Sequence, residues 1–399
     1  MTVKLTRNMK KFISANWKTK MRYLKKLCFK LPFVRRISKK VLKRRTISAL
    51  KSFDHSVSDS VIFMFSGTHY IKNFEGNRPI HLTREFLNKG HNVFFSYWRW
   101  DQDEKLPTSI NPMLFQSPID LTIENLDLII KYPLSHSNKI FIISFPHPSC
   151  ARILTTLKSH GWRIVYDIRD DWEEFHKVGQ AIWYDKNIEH TILKEAHSVL
   201  AVSQVLANKL QPFSTTKITL SPNALSPSFN QLDIKGRHNI RKDNIIGYIG
   251  HLTESWFDWK AFLKLAKRNS DWSFEIVGHS LPEDISFPDN VKYLGFKNHD
   301  EIIQISMNWK AAIIPFKTSA LSDAVDPIKV YEYLALRLPV VSFRMPQIEK
   351  YPYVYVSHNL EEFEINLRRA LQIAPNENVI REFLEYNLWE QRAQQFLCD

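Results

Sequence analysis

Short apolar runs alternating with amphipathic stretches recur along most of the chain. "VIFMFSG" (61–67) is a run of five apolar residues closed by Ser and Gly. "RPIHLTREFLNKG" (78–90) follows with helical spacing and a glycine where a helix should stop, and "HNVFFSYW" (91–98) reads as a second strand. Strand, helix, strand with a glycine turn is a βαβ unit, which implies a parallel sheet. The pattern repeats through "KIFIISF", the helix "SCARILTTLKSHG", "RIVYDIRDDW", "SVLAVS", the helix "QVLANKL" and "KITLSPNAL". About five strands are thus expected between residues 55 and 225. A second round opens at "NIIGYIGHL" and runs through "WSFEIVG", "NVKYLGF", "KAAIIPF", "DAVDPIKVYEYLALRLPVV" and "YVYVS", with the helices "WKAFLKLAKRN" and "HDEIIQISMNW" between them. The polar link "NQLDIKGRHNIRKD" (230–243) separates the two rounds. Two Rossmann-like α/β domains in tandem are predicted, with ligands beyond the C-terminal strand ends and the cleft between the domains as the expected site.

Length agrees, since 399 residues exceed what one core usually fills. Charge adds a third region. The net charge of +14 is concentrated in residues 1–50, which hold 17 Lys or Arg and no Asp or Glu, leaving 38 bases against 41 acids in the remainder. The body is therefore not a generally basic nucleic-acid-binding surface. Within the arm, Leu5, Met9, Ile13, Trp17, Met21, Leu24, Cys28 and Leu31 recur every three or four positions, so one helix face is apolar and the others cationic. Pro32 is expected to end that helix, and "RRISKKVLKRR" continues the charge. Such a helix suits an anionic membrane surface. A solvated helix packed on the body, a transit peptide and an RNA-binding arm are the competing readings of the same stretch. Cys28, Cys150 and Cys398 form no C-x-x-C pair, so neither a zinc knuckle nor a disulfide framework is suggested. No run approaches the roughly 18 apolar residues of a spanning helix.

The stretch 323–341 carries the clearest chemistry. Asp326 and Pro327 read as N-cap and first helical residue, pointing a helix N-terminus and its unpaired N–H groups at an anion such as a diphosphate. Lys329 adds a cation in the first turn. Glu332, three residues on, can accept hydrogen bonds from two ribose hydroxyls. A capped helix with an exposed Lys and Glu fits the same spacing.

"DPIKVYEYLALRLPVV" closely resembles the nucleotide-sugar motif of GT-B glycosyltransferases of the family-4 kind. The resemblance extends to "SPNALSPSF", "IIGYIGHLTESWFDW", "NVKYLGF", "SVLAVSQVLANKL" and "NLWEQRAQQFL", and in the first half to "NRPIHLTREFLNKGHNV" and "SFPHPS", which are similar to cell-surface polysaccharide transferases of the teichuronic-acid type. It covers about residue 60 to the end and implies a GT-B fold; the basic helical arm lies outside it. The expected division is an arm over 1–52, an acceptor domain over 53–228, a donor domain over 229–383, and a closing helix over 384–399 that crosses back to the first domain. It further implies transfer of a sugar from a nucleotide diphosphate sugar to a saccharide acceptor, with no cofactor and no metal. A lipid-linked acceptor and a peripheral position on the cytoplasmic face of the membrane fit the arm. A GT-B epimerase and a scaffold that lost its chemistry are the alternatives.

Carried over by residue, Glu332 is expected at the donor ribose, Lys329 at the diphosphate, and Gly250 at a turn that lets the backbone approach the donor. Lys317, Asp326 and Tyr331 join this donor set, with the loop 316–326 bordering the sugar. Retaining members carry a glutamate where this chain has Ala324, so Asp323 or Asp326 would have to substitute. An inverting route needs a general base, for which Asp170 and Asp171 in "DIRDDWEEF" are placed; capping of the next helix is their other reading. His147 is a candidate contact to acceptor or phosphate, and Arg78 to an anionic acceptor group. "DQD" (101–103) imitates a metal motif of a different fold and reads as a polar loop.

Overall fold

The computed structural model describes residues 32–56, 58–98, 109–230 and 244–398. The sequence segment 1–31, the "DQD" loop and most of the 230–243 link lie outside them. The chain divides into two compact units, Met1–Ser144 with Arg152–Ile164, and Phe145–Ala151 with Val165–Asp399.

The first unit opens with a helix, Pro32–Asp54. Proline at this position suits a helix start, because its missing N–H is unneeded in a first turn; the helix it was expected to end lies outside the described residues. Leu42, Thr46, Leu50 and Phe53 are buried at helical spacing. Phe53 meets Phe94 edge-on at 5.0 Å, while Lys40, Lys43, Arg44, Arg45 and Lys51 stay exposed.

Four parallel strands follow in this unit: β1 (Ser60–Phe65), β2 (Asn92–Tyr97), β3 (Leu114–Pro118) and β4 (Asn138–Ile143). β1 pairs with β2 through Val61↔Asn92 and with β4 through Val61↔Lys139. Every residue of β1 is buried, as expected of a strand covered on both faces. β5 (Trp162–Ile168), β6 (Ser198–Ala201) and β7 (Ile218–Leu220) complete a seven-stranded sheet of order β3-β2-β1-β4-β5-β6-β7. The division between units falls within β5. β3 is the strand that the apolar pattern did not reveal: its Gln116 and Pro118 interrupt the run, and Gln116 exchanges hydrogen bonds with the backbone of Ile71.

The second unit holds a six-stranded parallel sheet of order β10-β9-β8-β11-β12-β13. Its strands are β8 (Ile245–His251), β9 (Ser273–His279), β10 (Val291–Gly295), β11 (Ala311–Ile314), β12 (Val340–Phe343) and β13 (Val354–Ser357). All six correspond to apolar runs of the sequence. β11 and β12 are wholly buried, and the central order 9-8-11-12 brings the C-terminal ends of β8 and β11 beside each other.

Candidate functional site

Beyond β11 the chain passes Phe316 and Lys317, makes one capped turn at Ala320–Asp323, and enters the helix Ile328–Ala335. Lys317 N–H donates to the Trp256 carbonyl at 2.8 Å, and Ser322 Oγ donates to the Lys317 carbonyl at 2.8 Å, so this loop is tied at both ends.

The start of the helix corrects the expected cap. Pro327, with extended backbone at ψ 120°, is the N-cap, and no side chain caps the first turn. Asp326 instead turns inward and is buried. Its Oδ2 accepts from the Asn223 N–H at 2.6 Å and from Tyr331 Oη at 2.9 Å, and its Oδ1 accepts from Tyr351 Oη at 3.0 Å. Burial pushes its pKa up to about 6, against the pull of these three donors. Tyr331 is likewise engaged, bound to Asp326 and Tyr351 and stacked on Phe383 at 5.9 Å. Both residues, expected to hold a ligand, anchor the helix to the Ser221–Ser226 segment and to Tyr351.

Lys329 and Glu332 remain on the helix as the pattern placed them. The Lys329 ammonium lies 4.6 Å from the ring centre of Tyr248 and 4.7 Å from that of Phe316, and donates to Tyr248 Oη at 3.3 Å. The ring faces favour the cation. Burial nevertheless lowers its pKa to about 7, with Glu332 acting in the opposite direction. Among the described residues it makes no ion pair. Gly250, at φ +143°, explains how the amine fits: a Cβ there would overlap Lys329 Nζ. The glycine's open side is therefore taken by the lysine of its own chain, whereas the sequence reading left it for the donor. Glu332 is buried, and its Oε1 accepts from Ser226 Oγ at 2.5 Å.

Two histidines that the sequence reading did not single out stand at the same strand ends, the first of them within electrostatic reach of Lys329. His251 and His279 are paired in register at the ends of β8 and β9, with ring centres 4.2 Å apart. Partial withdrawal from water, together with His279 and Lys329, holds the His251 pKa below its usual value. His251 directly follows the quoted Gly250, so the signal was present, but its pairing with residue 279 is a product of strand register.

The position of the missing glutamate is closed. Ala324 is buried and its carbonyl accepts from Ser203 Oγ at 2.7 Å. Asp323 pairs with Arg344 at 2.5 Å. Asp326 is committed to its own donors, whereas Asp323 keeps its Oδ1 buried without a hydrogen-bond partner among the described residues.

Past β5, Asp171 caps the helix Trp172–Lys177, accepting from the Glu174 N–H at 3.1 Å. It also binds Lys209, whose ammonium lies 2.8 Å from Asp171 and 3.0 Å from Glu173. The candidate base thus has the capping role, and its charge is neutralised. Asp171, Glu173 and Glu174 bring three carboxylate oxygens within 4.8 Å of one another, and Lys209 serves as cation to two of the three acids. Asp170 lies 3.6 Å from Arg169. His147 Nδ1 is 2.8 Å from Ser149 Oγ, and its ring lies 6.1 Å from that of Trp183. Lys317 is exposed and lines a cavity of about 500 Å³ with Asp258, Phe343 and His358; the lining includes neither Lys329 nor Glu332. Arg78 is buried at the start of the helix Arg78–Asn88 in the first unit, not solvated.

Comparison with solved structures places this geometry. Sucrose-phosphate synthase of Thermosynechococcus elongatus superposes with a TM-score of 0.62 at 12% identity, covering 84% of this chain and 96% of that one. WaaG, a glycosyltransferase of lipopolysaccharide biosynthesis, gives 0.58 at 13% identity, with 85% and 100% covered. The chain has the GT-B fold. The lipopolysaccharide outer core galactosyltransferase WaaB is a further GT-B likeness, at 0.59 and 15% identity over 85% of this chain and 99% of its own. In sequence the chain is 32% identical over 130 residues to TuaH of Bacillus subtilis (strain 168), provisionally named a teichuronic acid biosynthesis glycosyltransferase. That match covers 31% of this chain and 32% of TuaH. No family model matches. Among the described residues, no helix is long and apolar enough to cross a membrane.

Proposed function

We propose that this GT-B chain transfers a sugar from a nucleotide diphosphate sugar to a saccharide acceptor, and that the helix Ile328–Ala335 reads the donor. One observation carries the reading: Lys329 and Glu332 share the first turns of a helix without a side-chain cap, the amine on an aromatic seat and without an ion pair among the described residues, the carboxylate fixed by Ser226. An uncapped helix start with a cation supports a diphosphate, and a buried carboxylate supports a diol. The TuaH match and the GT-B likenesses support the same class. Calorimetric titration of the full chain with UDP-, GDP-, dTDP- and CMP-sugars tests it. One diphosphate donor is expected to bind saturably, and Glu332→Ala to abolish that binding. Failure of all four to bind, or binding indifferent to Glu332→Ala, removes the reading.

The acceptor we propose is lipid-linked, met at an anionic membrane surface. The helix Pro32–Asp54 supports this by holding Lys40, Lys43, Arg44, Arg45 and Lys51 exposed over a buried stripe, and residues 1–31 add further charge. Such bases each add on the order of 1 kcal/mol at an anionic surface. Co-sedimentation with phosphatidylserine vesicles should weaken as salt rises. Equal partitioning after replacing the five bases by Gln, in a chain that also lacks residues 1–31, would remove the membrane role.

A further inference from the structure

We infer that His251, His279 and Lys329 form a seat for the donor's phosphates that fills only together with protons, so that nucleotide binding draws protons from solution. The inference rests on the reading of this GT-B site as a nucleotide diphosphate site and adds two ligands and a coupling to it.

Parallel pairing sets Gly250 opposite Gly278 and therefore His251 opposite His279, at the very ends of β8 and β9. Both imidazoles are exposed and their ring centres stand 4.2 Å apart. Lys329 Nζ reaches the same strand end from the helix, over Gly250. Three basic groups thus converge where the sheet stops. Among the described residues, the other polar groups at this strand end are Glu332 on the lysine's helix, Tyr248 Oη at 3.3 Å from the lysine, Ser280 Oγ at 2.9 Å from His279 Nδ1, and Tyr293 Oη, which donates to the Gly278 carbonyl at 3.0 Å. Glu332 is the one carboxylate among them, and Ser226 already donates to it.

Three cations in this space repel one another, so in the empty protein at least one gives up its proton near neutral pH. The lowered pKa values of Lys329 and His251 agree. A bound diphosphate reverses the balance. It supplies negative charge to each base and is held by charge-assisted hydrogen bonds, which are about twice as strong as neutral ones. Lys329 and His251 therefore protonate as the anion arrives. Linkage then requires affinity to fall with rising pH, by about tenfold per pH unit for each proton taken up.

The test is calorimetric titration of the full chain with UDP, GDP and dTDP, at matched pH, in buffers of different ionisation enthalpy. The slope of heat against buffer enthalpy gives the protons exchanged. About one proton should be taken up per nucleotide near pH 7.5, with the dissociation constant rising about tenfold by pH 8.5. Lys329→Gln, and separately the double variant His251→Asn with His279→Asn, should bind more weakly and take up fewer protons. Saturable binding with no proton exchange and a flat pH profile would overturn the inference while leaving the donor reading intact. Failure of all three nucleotides to bind would overturn both.

Discussion

Lys209 and Lys329 are both partly buried lysines of the second unit, each carried on a helix that follows a strand. Lys209 reaches Asp171 at 2.8 Å and Glu173 at 3.0 Å. Burial alone would lower its pKa, yet the hydrogen bonds and charges of the two acids raise it. Lys329 has ring faces and a tyrosine hydroxyl around its amine, and its pKa falls to about 7. The first lysine is consumed in holding a helix cap in place. The second is kept at a cost, which makes it a better candidate for meeting a ligand. Asp326 and Glu332 repeat the contrast six residues apart: the former accepts from three protein donors, the latter from one.

Substitutions can break this contrast. The largest effect is expected at Asp326, where Asp326→Ala leaves the Asn223 N–H and two tyrosine hydroxyls without their shared acceptor and should cost about 3 kcal/mol in urea unfolding. A loss under 1 kcal/mol would mean the network is not structural. Lys329→Ala should lower kcat/KM for the productive donor by about a hundredfold with little change in Tm, while Lys209→Met should do the reverse. Removing Lys209 takes the cation from Asp171 and leaves Glu173 with Lys186 at 3.8 Å, and is expected to cost about 1–2 kcal/mol, with donor affinity unchanged. If the two variants behave alike, the division between structural and ligand-facing lysines fails.

The smallest effect is a pH dependence. Glu173 has its pKa held below the ordinary value by the hydrogen bond from Lys209, so it contributes stability above the ordinary carboxylate range. That contribution is lost as pH falls through the lowered value. Acid unfolding of Lys209→Met should lack this component. Asp326 acts with the opposite sign, because its raised pKa makes the folded state hold more protons between the unfolded value of 3.8 and about 6. Its share of stability is present below 3.8 and declines as pH rises through that window.

Much of the fold was legible because parallel strands are read from uninterrupted apolar runs. β8 and β11 to β13 hold such runs, Glu275 and Lys292 interrupt β9 and β10 only once each, and β3 has a glutamine and a proline among its five residues. In the site, the spacing of Lys329 and Glu332 was enough to pair them, since three residues is a property of the helix itself. The Asp326–Pro327 signal misled for the opposite reason. A local cap pattern competes with distant partners, and Asn223 and Tyr351 lie 103 and 25 residues away. Asp171 shows the local rule prevailing, with its cap bond three residues on. Ser226, Tyr248, Phe316 and the two histidines are assembled by the tertiary fold, beyond the reach of local spacing.

The bare side of Gly278 is filled by the Gly250 carbonyl, and the bare side of Gly250 by the Lys329 amine. The dependence runs one way. In a saturation library, a side chain at 278 should survive only where the two strands part, and one at 250 needs a shorter residue 329 and still carries the strain of φ +143°. A descendant can therefore change its lysine and keep its glycines, whereas the reverse order is closed to it.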